Sequence, residues 1–202
     1  MTETPAPITN IRQQQAVMTY FAPTVVPVFK VRYLPSATGE ILTFFQDLKD
    51  SSMASAVSNL GCWHTGYESL TQWPELLEPV SRSLAAMTWQ CLAQSAAPQH
   101  ATLDTELWFA DYAPGGFAQA HNHGHDALSF CWYLDVAEGG SDFVVHEYGL
   151  DIGRPVERSQ TSIPVATGDV LIFPGFLTHS VPETPARRRV IAGNVRGPRA
   201  TA

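Results

Sequence analysis

The sequence predicts a mainly β protein with helices on its N-terminal side, on three observations. From about residue 103 onward the apolar pattern has a period of two, and short runs of it are separated by Gly- and Pro-containing turns. Before residue 100, two stretches carry apolar residues at helical spacing instead. Short strands spaced in this way argue for an antiparallel sandwich or barrel. The length of 202 residues, 45% of them apolar, suits one globular domain. The expected organisation is an arm over 1–22, then a single domain over 23–202. Its helical part runs over about 23–100 and its β core over about 101–197.

Each element has its own signal. Thr24 to Tyr33 is rich in β-branched residues and reads as a strand, with Pro27 arguing for a sheet edge. Thr38 can cap a helix whose Ile41, Phe44, Phe45 and Leu48 fall at i, i+3, i+4 and i+7. A second helical pattern follows Trp73-Pro74, with Leu76, Leu77, Val80, Leu84, Met87 and Cys91 on one stripe. The loop 58–73 between them, with Trp63, His64, Tyr67 and Trp73, reads either as a substrate lid or as aromatic residues packing into the core. The strand runs are 105–112, 127–134, 142–148, 168–173 and 187–194.

Composition excludes several classes. The net charge is −7, and Lys30 and Lys49 are the only lysines, so a reader of nucleic acid held by phosphate contacts has little support. Cys62, Cys91 and Cys131 are odd in number and lie in mostly apolar surroundings, which suits reduced thiols in a cytoplasmic protein. No apolar run approaches the ~18 residues of a membrane span, and the start MTETPAPITN lacks the features of a signal peptide.

Four histidines carry the chemistry: His121, His123 and His125 in HNHGHD, and His179 in PGFLTHSVP. On an extended segment residues i and i+2 point to one face, so His121 and His123 can present two imidazoles to one ion. Alone, the pair also reads as a polar turn. The second segment changes the balance, because 168–179 is a turn, a buried strand, a tight turn and then a histidine, the rigid placement a ligand needs. His125 has the right parity but lies a further ~7 Å along a strand, at ~3.3 Å per residue. Asp126 has the opposite parity and needs the turn that Gly124 permits, so the second ligand is His123 or Asp126. Three protein ligands leave coordination positions open, as in non-haem Fe(II) oxygenases, while a His-ligated catalytic zinc fits the same spacing.

Alternation assigns two further faces. Ser129, Cys131 and Tyr133 share one side of their strand, and Phe130, Trp132 and Leu134 the other. Arg188, Val190, Ala192 and Asn194 lie opposite to Arg189, Ile191 and Gly193, and an inward arginine there offers a planar fork to a carboxylate. A one-residue slip exchanges Arg188 for Arg189. A solvated basic edge is the alternative reading of Arg187 to Arg189.

The run from Tyr112-Ala-Pro-Gly-Gly to His121-Asn-His123, then Leu128 to Leu134, Gly139-Gly140, Gly168-Asp to Phe173-Pro, His179-Ser-Val and Arg188 to Asn194 resembles the Fe(II)/2-oxoglutarate oxygenases. It is similar to their small bacterial and phage branch in particular, which the segment Ser58-Asn59 to Trp63-His64 supports. The likeness covers roughly 25–197. It implies a double-stranded β-helix, the jelly roll shared with cupins, and an enzyme that uses Fe(II), 2-oxoglutarate and O2. Such an enzyme hydroxylates its substrate with release of succinate and CO2. The resemblance implies His121, His123 and His179 as metal ligands, with no catalytic residue beyond them. It implies Arg188 as the anchor of 2-oxoglutarate and Tyr133 as its hydrogen-bond partner, with Tyr112 and Ser129 at the pocket wall. His123 departs from the family, which mostly has Asp there, and three neutral imidazoles leave a divalent ion at its full charge. A cupin-type dioxygenase, isomerase or binding protein is the alternative. Gly115 to His123 and Gly168 to His179 partly match cupin motifs, but no Glu follows His123 by three to five residues and Phe176 replaces a Gly. The substrate expected is a small molecule or a peptide, with nucleic acid the poorest fit.

Overall fold

The computed structural model describes residues 26–51, 61–66, 68–69, 75–93, 103–125, 127–151 and 154–197. The expected arm 1–22 lies outside them, as do most of the 58–73 loop and Asp126. In chain order the elements are β1 (Phe29–Arg32), α1 (Thr38–Ser51), β2 (Cys62–His64), β3 (Glu68–Ser69), α2 (Glu78–Ala93), β4 (Asp104–Tyr112), β5 (Ala118–His121), β6 (Leu128–Val136), β7 (Phe143–Asp151), β8 (Arg154–Ile163), β9 (Asp169–Pro174), β10 (His179–Val181) and β11 (Arg188–Arg196). The strands form two antiparallel sheets. The larger has the order β1-β9-β6-β11-β4-β2, with β3 also on β4, and the smaller the order β5-β10-β7-β8.

Period-two alternation sorts the side chains of the larger sheet into two cores. Leu107, Phe109, Phe130, Trp132 and Ile191 face the helices and pack on Ile41 and Phe45 of α1 and on Val80 and Leu84 of α2. Trp108, Ala110, Tyr112, Cys131, Tyr133, Val190 and Ala192 face the other way and meet Phe143, Val145 and Val181 of the smaller sheet. The helices therefore cover one side of the larger sheet, and the smaller sheet covers the other. This is the double-stranded β-helix with N-terminal helices that the sequence led us to expect, and β1 lies at an edge as Pro27 implied.

Some local expectations differ. Thr38 does not cap α1: the first helical bond runs from Ile41 N to Ala37 O, and the Thr38 hydroxyl donates to Pro35 O at 2.6 Å. Strand β8 carries no apolar alternation because it is the outer strand of the smaller sheet, with residues 159–162 exposed. Strands β2, β3 and β5 are too short to impose a period. All three cysteines are free. Among the described residues no helix is long and apolar enough to cross a membrane.

Candidate metal centre

His121 ends β5 and His179 begins β10, and the two are direct partners in the antiparallel ladder. Neighbouring strands of one sheet thus bring together residues 58 positions apart, with ring centroids 4.4 Å from each other. His123 follows two residues after the end of β5. Its backbone N–H donates to Gly175 O at 2.7 Å, which fixes it against the turn leading to His179. The chain then bends at Gly124, whose φ of +89° lies in the left-handed region open to glycine. Gly175 is the other required glycine, since a Cβ there would lie 2.7 Å from Ala127 O.

One ring nitrogen from each of His121, His123 and His179 lies within 4.8 Å of the others, close enough for all three to hold one ion. His121 Nδ1 donates to Gln119 O at 2.7 Å and His179 Nδ1 to Leu177 O at 2.9 Å. A carbonyl only accepts, so both rings carry their hydrogen on Nδ1 and keep the Nε2 lone pair free for a metal. His123 Nδ1 lies 2.9 Å from Asn194 Oδ1 and 3.0 Å from Ser129 Oγ. Burial, then the neighbouring His121, pushes His123 down to about 4, and burial with both neighbouring imidazoles pushes His179 well below the usual histidine range. Neutral imidazole is the form that binds metal. Phe143 stacks on His179 with ring centroids 4.9 Å apart, and Trp108 and His123 meet in a T-shape at 5.3 Å, so apolar rings fix both planes. The donor set fits a divalent transition metal, with no fourth protein ligand among the described residues.

His125 stands apart: it is exposed and stacks on Phe176 outside the cluster. The rival ligand Asp126 lies outside the described residues. The cluster opens into a cavity of about 430 Å³, its mouth included, lined by Trp108, Tyr112, Phe143, Phe173 and Arg188 among others. Arg188 is 1% exposed. Its guanidinium lies over the rings of Tyr112 and Tyr133, at 5.2 and 4.9 Å, and its Nη1 donates to Ser141 O at 2.9 Å. Its Nε finds no partner, and no carboxylate pairs with it among the described residues. The buried Tyr133 hydroxyl also lacks a hydrogen-bond partner of normal geometry. Burial raises the pKa of both tyrosines, so both stay neutral.

Ser129 sits elsewhere than the pocket wall expected for it. The β6 pairing places it on the inward face but behind His123, bonded to Asn194 and outside the cavity lining. Trp63 packs on Phe45 in the helix-side core, as the core-packing reading of the loop has it, while His64 stacks on Trp108. Sequence reasoning missed Trp108 and Glu106 as neighbours of the site. Both share the parity of Tyr112 on β4, so alternation alone could have placed them.

Fold and site together define a double-stranded β-helix with a three-histidine centre and a buried arginine in one cavity. Residues 106–193 match the model of a family described as "Putative 2OG-Fe(II) oxygenase", a span that holds the three histidines and Arg188. That span carries the chain's likeness to the Fe(II)/2-oxoglutarate oxygenases, enzymes with iron as their metal and 2-oxoglutarate as their co-substrate. The fold is similar to that of a prolyl-4-hydroxylase from Pseudomonas putida, at 15% identity over 90% of this chain and 97% of the other, with a TM-score of 0.62. It is similar also to a Trichoplax adhaerens prolyl hydroxylase in complex with a hypoxia inducible factor peptide, at 14% identity over 91% and 90%, TM-score 0.61. HygX from Streptomyces hygroscopicus, with nickel, 2-oxoglutarate and hygromycin B bound, is 14% identical over 95% of this chain and 88% of its own, TM-score 0.58. No curated protein sequence matches the chain.

Proposed function

We propose that His121, His123 and His179 hold Fe(II) through their Nε2 atoms, and that Arg188 receives the distal carboxylate of 2-oxoglutarate. The observation that carries this reading is the buried guanidinium without a counter-charge. An unpaired charge in an apolar interior is costly, and an anionic guest removes that cost. Tyr133 supports the same reading, because its buried hydroxyl has hydrogen-bonding capacity left over beside Arg188. The Tyr112 ring lies against the same guanidinium, 5.2 Å away. When bound, Fe(II) with 2-oxoglutarate and O2 supplies hydroxylation of a C–H bond coupled to release of succinate and CO2. Phe143, Phe173 and Trp108 exclude water around the histidines and set the shape of the space left for the substrate.

The substrate class we infer is a small molecule or a peptide. Its support is the similarity to folds that hold a hypoxia inducible factor peptide in one case and hygromycin B in another, and the net charge of −7, which disfavours a polyanion. The testing experiment measures Fe(II) stoichiometry and succinate formation for wild type, His123→Ala, His123→Asp and Asp126→Ala. The expected result is loss of iron and turnover in His123→Ala, partial retention in His123→Asp, and normal iron content in Asp126→Ala. An iron-replete His123→Ala beside an iron-free Asp126→Ala overturns the ligand assignment. Adding candidate metabolites and peptides to the same assay identifies the substrate by its stimulation of succinate release.

A further inference from the structure

His121 and His179 have their tautomers set by backbone carbonyls, which offer no alternative. His123 is different, because its Nδ1 faces a side-chain amide with an accepting end and a donating end of nearly the same shape. Turned one way, Asn194 accepts from Nδ1–H and leaves the Nε2 lone pair toward the other two histidines. Turned the other way, it donates to Nδ1 and favours the Nε2–H form, which has no lone pair to give. The Ser129 hydroxyl touches both groups but rotates freely, so it follows either arrangement and selects neither.

We propose that Glu106 makes the choice: its carboxylate accepts from Asn194 Nδ2, which turns Asn194 Oδ1 toward His123 and holds the His123 lone pair at the metal centre. Glu106 and Asn194 are therefore positioning residues for a ligand, an inference that rests on the three-histidine reading of the site. The contact is 3.3 Å from Asn194 Nδ2 to Glu106 Oε2, and a carboxylate can only accept. The ladder builds the row directly. Asn194 of β11 is the register partner of Glu106 on β4 and of Ser129 on β6, so three adjacent strands present the three side chains on one face. Glu106 is itself held by Arg196 at 2.9 Å. Outer partners of this kind orient metal-binding histidines and their loss weakens metal binding.

The test uses metal-free protein at pH 7.5, long-range nitrogen–proton NMR of the His123 ring, and Ni(II) affinity by calorimetry. Wild type is expected to show the Nδ1–H tautomer alone. Glu106→Gln, whose amide can accept or donate, is expected to show both tautomers and ~10–100-fold weaker Ni(II) binding. Asn194→Asp needs no orienting, so Asn194→Asp combined with Glu106→Gln is expected to restore the single tautomer. In a His123→Asp background, where the ligand has no tautomer, Glu106→Gln is expected to leave Ni(II) affinity unchanged. A single His123 tautomer in Glu106→Gln, or an equal loss of affinity in both backgrounds, overturns the proposal. Absence of Ni(II) binding by wild type sinks the metal-site reading instead, and the tautomer comparison still decides the role of Glu106.

Discussion

Arg187 and Arg188 are adjacent in the chain and opposite in circumstance. Arg187 lies on the helix side of the larger sheet, where its Nε and Nη2 donate to Asp111 at 3.0 and 2.6 Å and its Nη2 reaches Gln46 of α1. Lys49 of α1 binds the same carboxylate at 2.7 Å, so Asp111, with its side chain fully buried, ties the helix to β4. Arg189 likewise has Asp135, at 2.6 Å. Arg188, between them, lines the cavity and among the described residues meets only carbonyls, a hydroxyl and aromatic faces. Where charge serves the fold, the chain supplies its counter-charge. At Arg188 no described residue does so, and our proposal gives that position to 2-oxoglutarate.

Four predictions can break or sharpen this contrast. The largest effect is expected for Asp111→Ala, which leaves two cations facing each other beside a buried site. Breaking a buried pair costs about 3–5 kcal/mol, and the partial exposure of Lys49 and Arg187 reduces this to roughly 2–4 kcal/mol. Urea denaturation measures it, with 2-oxoglutarate affinity expected to stay at the wild-type value. A variant that keeps its stability and loses affinity instead would erase the distinction between the two faces.

The two regions should also respond to acid in different windows. His123 and His179 are held below the ordinary histidine value, so as pH falls below ~6.5 the unfolded chain takes up protons that the native protein refuses. Metal-free protein is expected to lose stability from ~6.5 down to about 4, on the order of 3 kcal/mol from His123 alone. Burial raises Asp111, but hydrogen bonds from Arg187 and Lys49 and their charges bring it below the usual carboxylate value. Its contribution is present above that value and is lost only as pH falls through the lowered one, below ~3.8. Comparing urea midpoints at pH 7.5 and 4.5 checks this: His123→Asn should flatten the decline, and Asp111→Ala should leave it intact.

Arg188→Met is expected to weaken 2-oxoglutarate binding by about 10–100-fold, the equivalent of ~1.5–3 kcal/mol. Its stability should match or exceed wild type, since an unpaired buried charge is removed. Titration of 2-oxoglutarate with anaerobic Fe(II) protein provides the measurement, and unchanged affinity would refute the anchor assignment. The smallest effect belongs to Arg189→Met, where loss of a partly exposed pair with Asp135 should cost under ~1 kcal/mol and leave 2-oxoglutarate affinity as it was.

Much of the site was legible because strand parity is a property of sequence. Alternation put Arg188 with Val190, Ala192 and Asn194, and Tyr133 with Cys131, and those residues do share the inter-sheet face. A bulge between Arg189 and Val190 shifts the pairing of β11 with β6, yet the facing of Arg188 is unaffected because its own strand keeps period two against β4. Parity could not place Ser129 in depth: it faces inward, but His123 and Asn194 stand in front of it. Thr38 failed because the helix starts one residue earlier, a matter of backbone hydrogen bonds that a capping preference does not fix.

The sequence by itself determined the strand runs, their inward faces, the amphipathic helices and the spacing of the histidines. These depend on local periods of 2.0 and 3.6 residues, which the order of side chains carries directly. The tertiary structure alone decided that His121 stands beside His179 in one ladder, that Glu106, Asn194 and Ser129 form a row across three strands, and that Asp111 rather than any inward carboxylate receives Arg187. Those contacts join residues between 58 and 88 positions apart, and which strands become neighbours is set by how two sheets close over a shared apolar core.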